Sequence, residues 1–339
     1  MGKAVRLVLL LFGFAFFCYL VHDLGIENIL VNLKKTGWWF LPVVGVWGIG
    51  YVFNALAYQQ ILGEEGKPIR FGELYRITLS SFAINYSTPL VNLGGEPFRA
   101  MAVQDRVGMR RAVSSVFLFR MVHATGQFVF WLITIVTVAI WFPLTTSLRL
   151  YLLLIFAAVA GAIALLIAGH KRGVLNILLK LVSWLPFSNG LTARIMKHED
   201  AIRDIDDQIT ELYNVRRKAF YLSVFWELMS RYVVSLEFYF ILHAIGSSVS
   251  LIDAIYINAA STLLLNLVFF IPYELGAREG SLYLIMESLG LSSGVGIYAS
   301  LVNRIRELFW IAVGFSLVYF AGKKVATKPP ELAKIKEPT

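Results

Sequence analysis

One cysteine, Cys18, stands among 339 residues, so no disulfide can close within the chain and chemistry built on paired thiols is excluded. Charge is scarce too: Asp, Glu, Lys and Arg together make up 16% of the residues. The histidines His22, His123, His170, His198 and His243 show no metal-ligand spacing. Leu93-Gly94-Gly95 lacks the lysine and the preceding strand of a phosphate-binding loop, so no nucleotide site is expected. What the chain has instead is apolar and aromatic surface, 58% and 14% of its residues, the composition of a polytopic membrane protein. Its net charge of +9 is therefore read against the membrane and not as a sign of nucleic-acid binding.

Apolar runs long enough to cross about 30 Å of hydrocarbon occur near 5–21, 40–62, 112–141, 149–169, 219–243 and 296–321. The first lacks a small-residue cleavage site and reads as an uncleaved helix. Two more apolar stretches, 71–104 and 251–290, are interrupted by proline and glycine. Backbone broken at membrane depth turns back or lines a protected cavity. The expected fold is an all-α polytopic membrane protein with six full transmembrane helices and two re-entrant broken-helix hairpins. It forms a single transmembrane domain over 1–322, and the proline-containing tail, 323–339, is expected to be disordered and cytoplasmic. The connection 173–218 places Ile195, Ile202, Ile205, Ile209 and Leu212 at helical spacing, an amphipathic cytoplasmic helix. With both termini cytoplasmic, 22 Lys and Arg fall inside and 3 outside, as the positive-inside rule requires.

The two broken stretches resemble one another. Pro89 precedes Glu96 by seven residues and Pro272 precedes Glu279 by seven, each with Leu-Gly between them. Three crossings separate the two centres, an odd number, so the second copy is inverted and the hairpins enter from opposite sides. Paired broken helices of this kind build substrate sites in transporters. Six arginines, Arg99, Arg120, Arg231, Arg278, Arg304 and Arg306, fall within the membrane region, where an isolated charge costs roughly 2.5–3.5 kcal/mol. Helical spacing permits Glu96 to pair with Arg99 and Glu227 with Arg231. The arginines serve either as structural ion pairs or as a convergent site for an anion, which guanidinium binds in two-pronged fashion. His123, three residues after Arg120, reads as a hydrogen-bonded core residue or as part of a proton relay.

The segments NYSTPLVNLGGEPFRA, DRVGMRRA and FIPYELGAREG resemble the transmembrane region of the lysylphosphatidylglycerol synthase family, also called the flippase-like domain family. The most specific match is P-x3-L-G-G-E-P-x-R. In the second motif, Tyr273-Glu274 stand where a glycine-rich turn is expected. The resemblance implies a lipid flippase or translocase in the cytoplasmic membrane of a bacterium or archaeon. It would move an anionic or aminoacylated phospholipid, or another lipid-linked phosphate, between leaflets. Full-length synthases carry a soluble transferase domain after this region and the present chain has none, so catalysis is not expected. On this reading Arg99, Arg278 and Arg304 contact phosphate, with Arg120, Arg306 and Asn92 beside them. Glu96 and Glu279 orient the arginines or meet an amino group, while Gly94, Gly95 and Gly276 allow close backbone approach. No cofactor, metal or nucleic-acid partner is expected, and a homo-oligomer is compatible with the pattern. The competing reading is a non-transporting membrane subunit that presents a lipid-linked substrate to a separate enzyme.

Overall fold

The computed structural model describes residues 25–63, 68–88, 94–142, 145–172, 210–212, 214–269, 271–274 and 276–326, with His22 and Asp207. The expected span at 5–21, most of the connection 173–218, the tip 89–93 and the tail from 327 onward lie outside the described residues. The chain is helical, with no strand among the described residues: α1 Ile26–Thr36, α2 Phe40–Leu62, α3 Phe71–Ser87, α4 Gly95–Val107, α5 Met109–Trp141, α6 Thr146–Arg172, α7 Arg217–His243, α8 Leu251–Leu267, α9 Ala277–Ser288 and α10 Ser293–Ala326. The last helix runs past 322, so the boundary expected there falls inside it. By length and composition, two of the described stretches suffice to cross a membrane, Leu30–Leu62 and Met109–Trp141. The long helices α7 and α10 carry Glu227, Arg231 and Glu237, and Arg304, Arg306 and Glu307, within their lengths.

An antiparallel pair, α2 and α7, forms the spine. Trp39 lies 6.0 Å from the rings of Phe240 and His243 at one end, and Arg216 donates to the carbonyls of Gln60 and Ile61 at the other. Between these ends the helices touch through small residues. A Cβ on Gly50 would lie 2.7 Å from Val234 Cγ1, and Ser230 Oγ donates to the Gly50 carbonyl at 3.1 Å. Glycine here permits backbone approach, as in helix pairs packed within lipid.

The first broken stretch is an antiparallel helical hairpin. Arg106 at the end of α4 lies 3.6 Å from Glu73 at the start of α3, while the Gly95 N–H donates to Asn85 Oδ1 at 2.6 Å at the other end of the pair. Its base sits at the Leu62 end of the spine, where Arg111 donates to the Leu62 carbonyl. At about 1.5 Å per residue, the 17 residues of α3 and 13 of α4 reach roughly 25 and 20 Å, too short for a full bilayer. Gly95 is required by this fold: an added Cβ would meet the Ser81 carbonyl oxygen at 2.1 Å, a backbone atom that cannot swing aside. We expect Gly95→Ala to lower stability by about 1–3 kcal/mol through overpacking. Gly45→Ala, with nothing within 4 Å of its new methyl, serves as the control. Thermal melting in detergent reads both, and equal melting temperatures would show that the close approach is not needed.

The second broken stretch folds back in the same way from the opposite end. Ser250 and Asp253 form a reciprocal capping box that starts α8. Tyr256 near that start meets Ser288 at the end of α9 at 3.0 Å. Ala254, Ile257, Leu282 and Ile285 pack with Val43 and Leu242, which places this base at the Trp39 end. The turn departs from a glycine-rich one: Tyr273 and Glu274 themselves adopt left-handed backbone, both at φ 55. Glu274 is held there by its carboxylate, which accepts from Arg278 Nε at 3.1 Å. Gly276, at φ 75, starts α9 with its N–H donating to Glu279 Oε2 at 2.9 Å. The hairpins meet where Arg278 Nη2 donates to the Tyr86 hydroxyl at 2.7 Å.

Candidate functional site

A cavity of about 260 Å³ opens where α2, α3, α4, α5 and α7 converge. The spine helix contributes Trp47, Gly50, Tyr51 and Asn54, a stripe at helical spacing along an otherwise apolar segment. The first hairpin supplies Phe82, Asn85 and Tyr86 from α3, and Glu96 and Arg99 from α4. Phe119, Arg120 and His123 come from α5, and Glu227, Ser230 and Arg231 from α7.

Arg99 sets the chemistry. Its side chain is only 5% exposed, and its guanidinium carbon lies 4.9 Å from the Tyr58 ring centroid and 4.1 Å from that of Phe119. Ring faces favour the cation, but they leave its in-plane N–H groups unmatched. Neither Nε nor Nη1 has a hydrogen-bond acceptor among the described residues. Buried polar groups are nearly always paired, so these two unmatched donors, on a residue that lines the cavity, are the site's departure from the rule.

Around Arg99 the other charges are held in pairs. Glu96 lies 2.9 Å from Arg120 and accepts from Asn85 Nδ2 at 3.3 Å. Glu227, with no exposed surface, accepts from Asn54 Nδ2 at 3.0 Å and meets His123 Nδ1 at 2.8 Å. Arg231 Nη2 approaches His123 Nε2 at 3.1 Å and donates to the His123 carbonyl at 3.2 Å. Three guanidinium groups thus face two carboxylates on the cavity wall. With neutral histidine that leaves one positive charge in excess, in surroundings where screening is weak.

The pairing of Glu96 with Arg99 that helical spacing permits does not form, because the guanidinium of Arg99 lies over rings from α2 and α5 while Glu96 reaches Arg120 on α5. Neither does Glu227 hydrogen-bond Arg231 directly; His123 stands between them. The structure brings Glu96, Arg99 and Arg120 together at the cavity and leaves Arg278, Glu279, Arg304 and Arg306 outside its lining. Arg278 pairs with Glu274 and Glu307. Adjacent residues on a helix point apart, which is why Glu279 bonds Arg304 and Ser300 instead of Arg278. Arg306 grips Glu237 through Nε at 2.9 Å and Nη2 at 3.1 Å and lies 3.7 Å above the Trp47 ring. The close approaches at Gly94 and Gly95 are made by Thr88 and by the Ser81 carbonyl of α3, so these glycines serve the hairpin. Gly276 has open space around it, and Asn92 lies outside the described residues. The sequence reading missed Trp47, Asn54, Asn85 and Tyr86. The polar and aromatic stripe of α2 is a signal that was available for the first two.

A UPF0104 membrane protein from Methanothermobacter thermautotrophicus is 26% identical over 268 residues, covering 75% of this chain and 77% of that protein. No solved structure matches the chain. The described helices, the buried charges and the match of residues 4–314 together identify the chain as a membrane protein belonging to the lysylphosphatidylglycerol synthase transmembrane-region family.

Proposed function

We propose that the protein moves a lipid with an anionic head group between leaflets, its phosphate held in the cavity by Arg99 while the acyl chains stay in the bilayer. The observation that carries this reading is the buried guanidinium of Arg99, whose Nε and Nη1 have no acceptor among the described residues. Arg120 and Arg231 add positive potential to the same wall. Trp47, Phe82 and Phe119 on the wall lower the local polarity and so strengthen each electrostatic contact.

In this reading the hairpins are re-entrant and form an inverted repeat around the bilayer midplane. Their short arms, their bases at opposite ends of the α2–α7 spine and their meeting at Tyr86 and Arg278 support it. The Leu62 end faces the cytoplasm, where Arg70, Arg106, Arg110 and Arg111 gather. At the other end Trp38 is 86% and Trp141 65% exposed, as suits an interfacial aromatic belt.

The test has two arms. Protein purified in mild detergent is expected to retain anionic phospholipid detectable by mass spectrometry, and reconstituted vesicles are expected to redistribute labelled phosphatidylglycerol between leaflets faster than protein-free ones. Retention of neutral lipids only, with no acceleration, would overturn the reading.

A further inference from the structure

His123 and Glu227 are not needed to neutralise Arg99, yet they sit fully assembled beside it. Glu227 is completely buried, and His123 Nδ1 lies 2.8 Å from its Oε2. Arg231 approaches the opposite ring nitrogen, Nε2, at 3.1 Å. Guanidinium is a donor only, so Nε2 must accept and the single ring hydrogen must reside on Nδ1, donated to the carboxylate. His123 is therefore neutral in this arrangement, and Arg231 occupies the one position where a second proton would bind. The histidine side chain retains 39% of its surface, open toward the cavity it lines. Arg231 Nε has no hydrogen-bond partner among the described residues, which leaves this arginine capacity for an anion.

We infer that His123 and Glu227 form a proton-binding site coupled to occupancy of the cavity, so that anion binding carries one proton with it. This rests on the anionic-lipid reading above and adds the coupling ion to it. An anion entering the cavity draws Arg231 toward itself and off Nε2. The freed lone pair then takes up a proton supplied by the acid form of the bulk buffer, and the resulting imidazolium is held between the carboxylate of Glu227 and the bound anion. On release Arg231 returns to Nε2 and the proton leaves. Glu227 and Arg231 face the ring from α7 and Arg120 from its own helix; across the cavity stand Glu96 and Arg99 of α4 and Tyr86 of α3. With these charges in place, proton uptake keeps the occupied cavity near neutrality.

Linkage gives the sign of the effect. A ligand that binds together with one proton binds more weakly as pH rises, by up to about tenfold per unit while the free site is unprotonated. Short-chain phosphatidylglycerol, whose phosphate does not titrate in this range, serves as the probe for protein in mild detergent. Binding is read by tryptophan fluorescence, since Trp47 lines the cavity, and proton uptake by an indicator dye in weak buffer. Wild-type protein is expected to lose affinity steeply between pH 6 and pH 8 and to take up close to one proton per bound lipid. His123→Gln is expected to bind with an affinity that no longer varies with pH and to take up none. Wild-type binding that is flat with pH and proton-free would overturn the coupling and leave the lipid reading standing, whatever the variant does. Failure of the wild type to bind at any pH would overturn both.

Discussion

Arg99→Gln is expected to abolish head-group binding and translocation without destabilising the delipidated protein. The two effects separate because Arg99 is the cavity cation whose Nε and Nη1 lack acceptors among the described residues. Charged hydrogen bonds to a ligand are worth about 1.5–3 kcal/mol each, so loss of the guanidinium should weaken binding by one to two orders of magnitude or more. Stability follows the opposite logic. The substitution forfeits contacts with Tyr58 and Phe119, about 1 kcal/mol each, but it also removes a buried cation two of whose nitrogens lack acceptors among the described residues, and such a cation itself costs several kcal/mol. The melting temperature should therefore hold or rise. Glu96→Gln in the same background is not expected to restore transport, because Glu96 already has Arg120 as its partner. Full transport by Arg99→Gln, or its rescue by the double change, would remove Arg99 from the ligand site.

The contrasting case is Arg306→Met, expected to cost about 3–5 kcal/mol of stability. Arg306 is 2% exposed and holds Glu237, equally buried, through two nitrogens. Methionine leaves that carboxylate with Trp47 Nε1, at 2.6 Å, as its remaining indole donor and without its counter-charge. The paired change Glu237→Gln with Arg306→Met removes both charges and should recover most of the loss, although the ring contact with Trp47 is not restored. Denaturation in mild detergent reads the series. A single variant as stable as the wild type would show that the pair contributes little, and a double variant no better than the single would place the cost in packing.

These two arginines also mark how far the sequence could be read. The broken helices were legible because proline, at 89 and at 272, acts locally through restricted backbone at the residue itself, whereas Gly94 and Gly95 stand in helical backbone and matter through what a Cβ would meet. That arginines and carboxylates lay within apolar segments was equally plain. Which arginine met which carboxylate was not. Arg99 and Arg306 look alike in sequence, each with a glutamate one turn or less away, yet their surroundings come from helices distant in the chain: Tyr58 and Phe119 for one, Glu237 and Trp47 for the other. Helical spacing shows which neighbours are in reach, but tertiary packing selects among them. Arg278 and Arg304 illustrate the gap, since Glu307 and Glu279, which only the fold brings near, engage them.

The bond between Tyr86 and Arg278 has a mechanical meaning. Arg278 is anchored to α10 by Glu307, whereas Tyr86 belongs to the hairpin whose base lies at the other end of the spine, and it also walls the cavity. The two broken stretches thus meet at one phenolic oxygen, like two levers resting on a single pin. A shift of the cavity wall large enough to displace that oxygen must either draw the Arg278 arm with it or break their hydrogen bond.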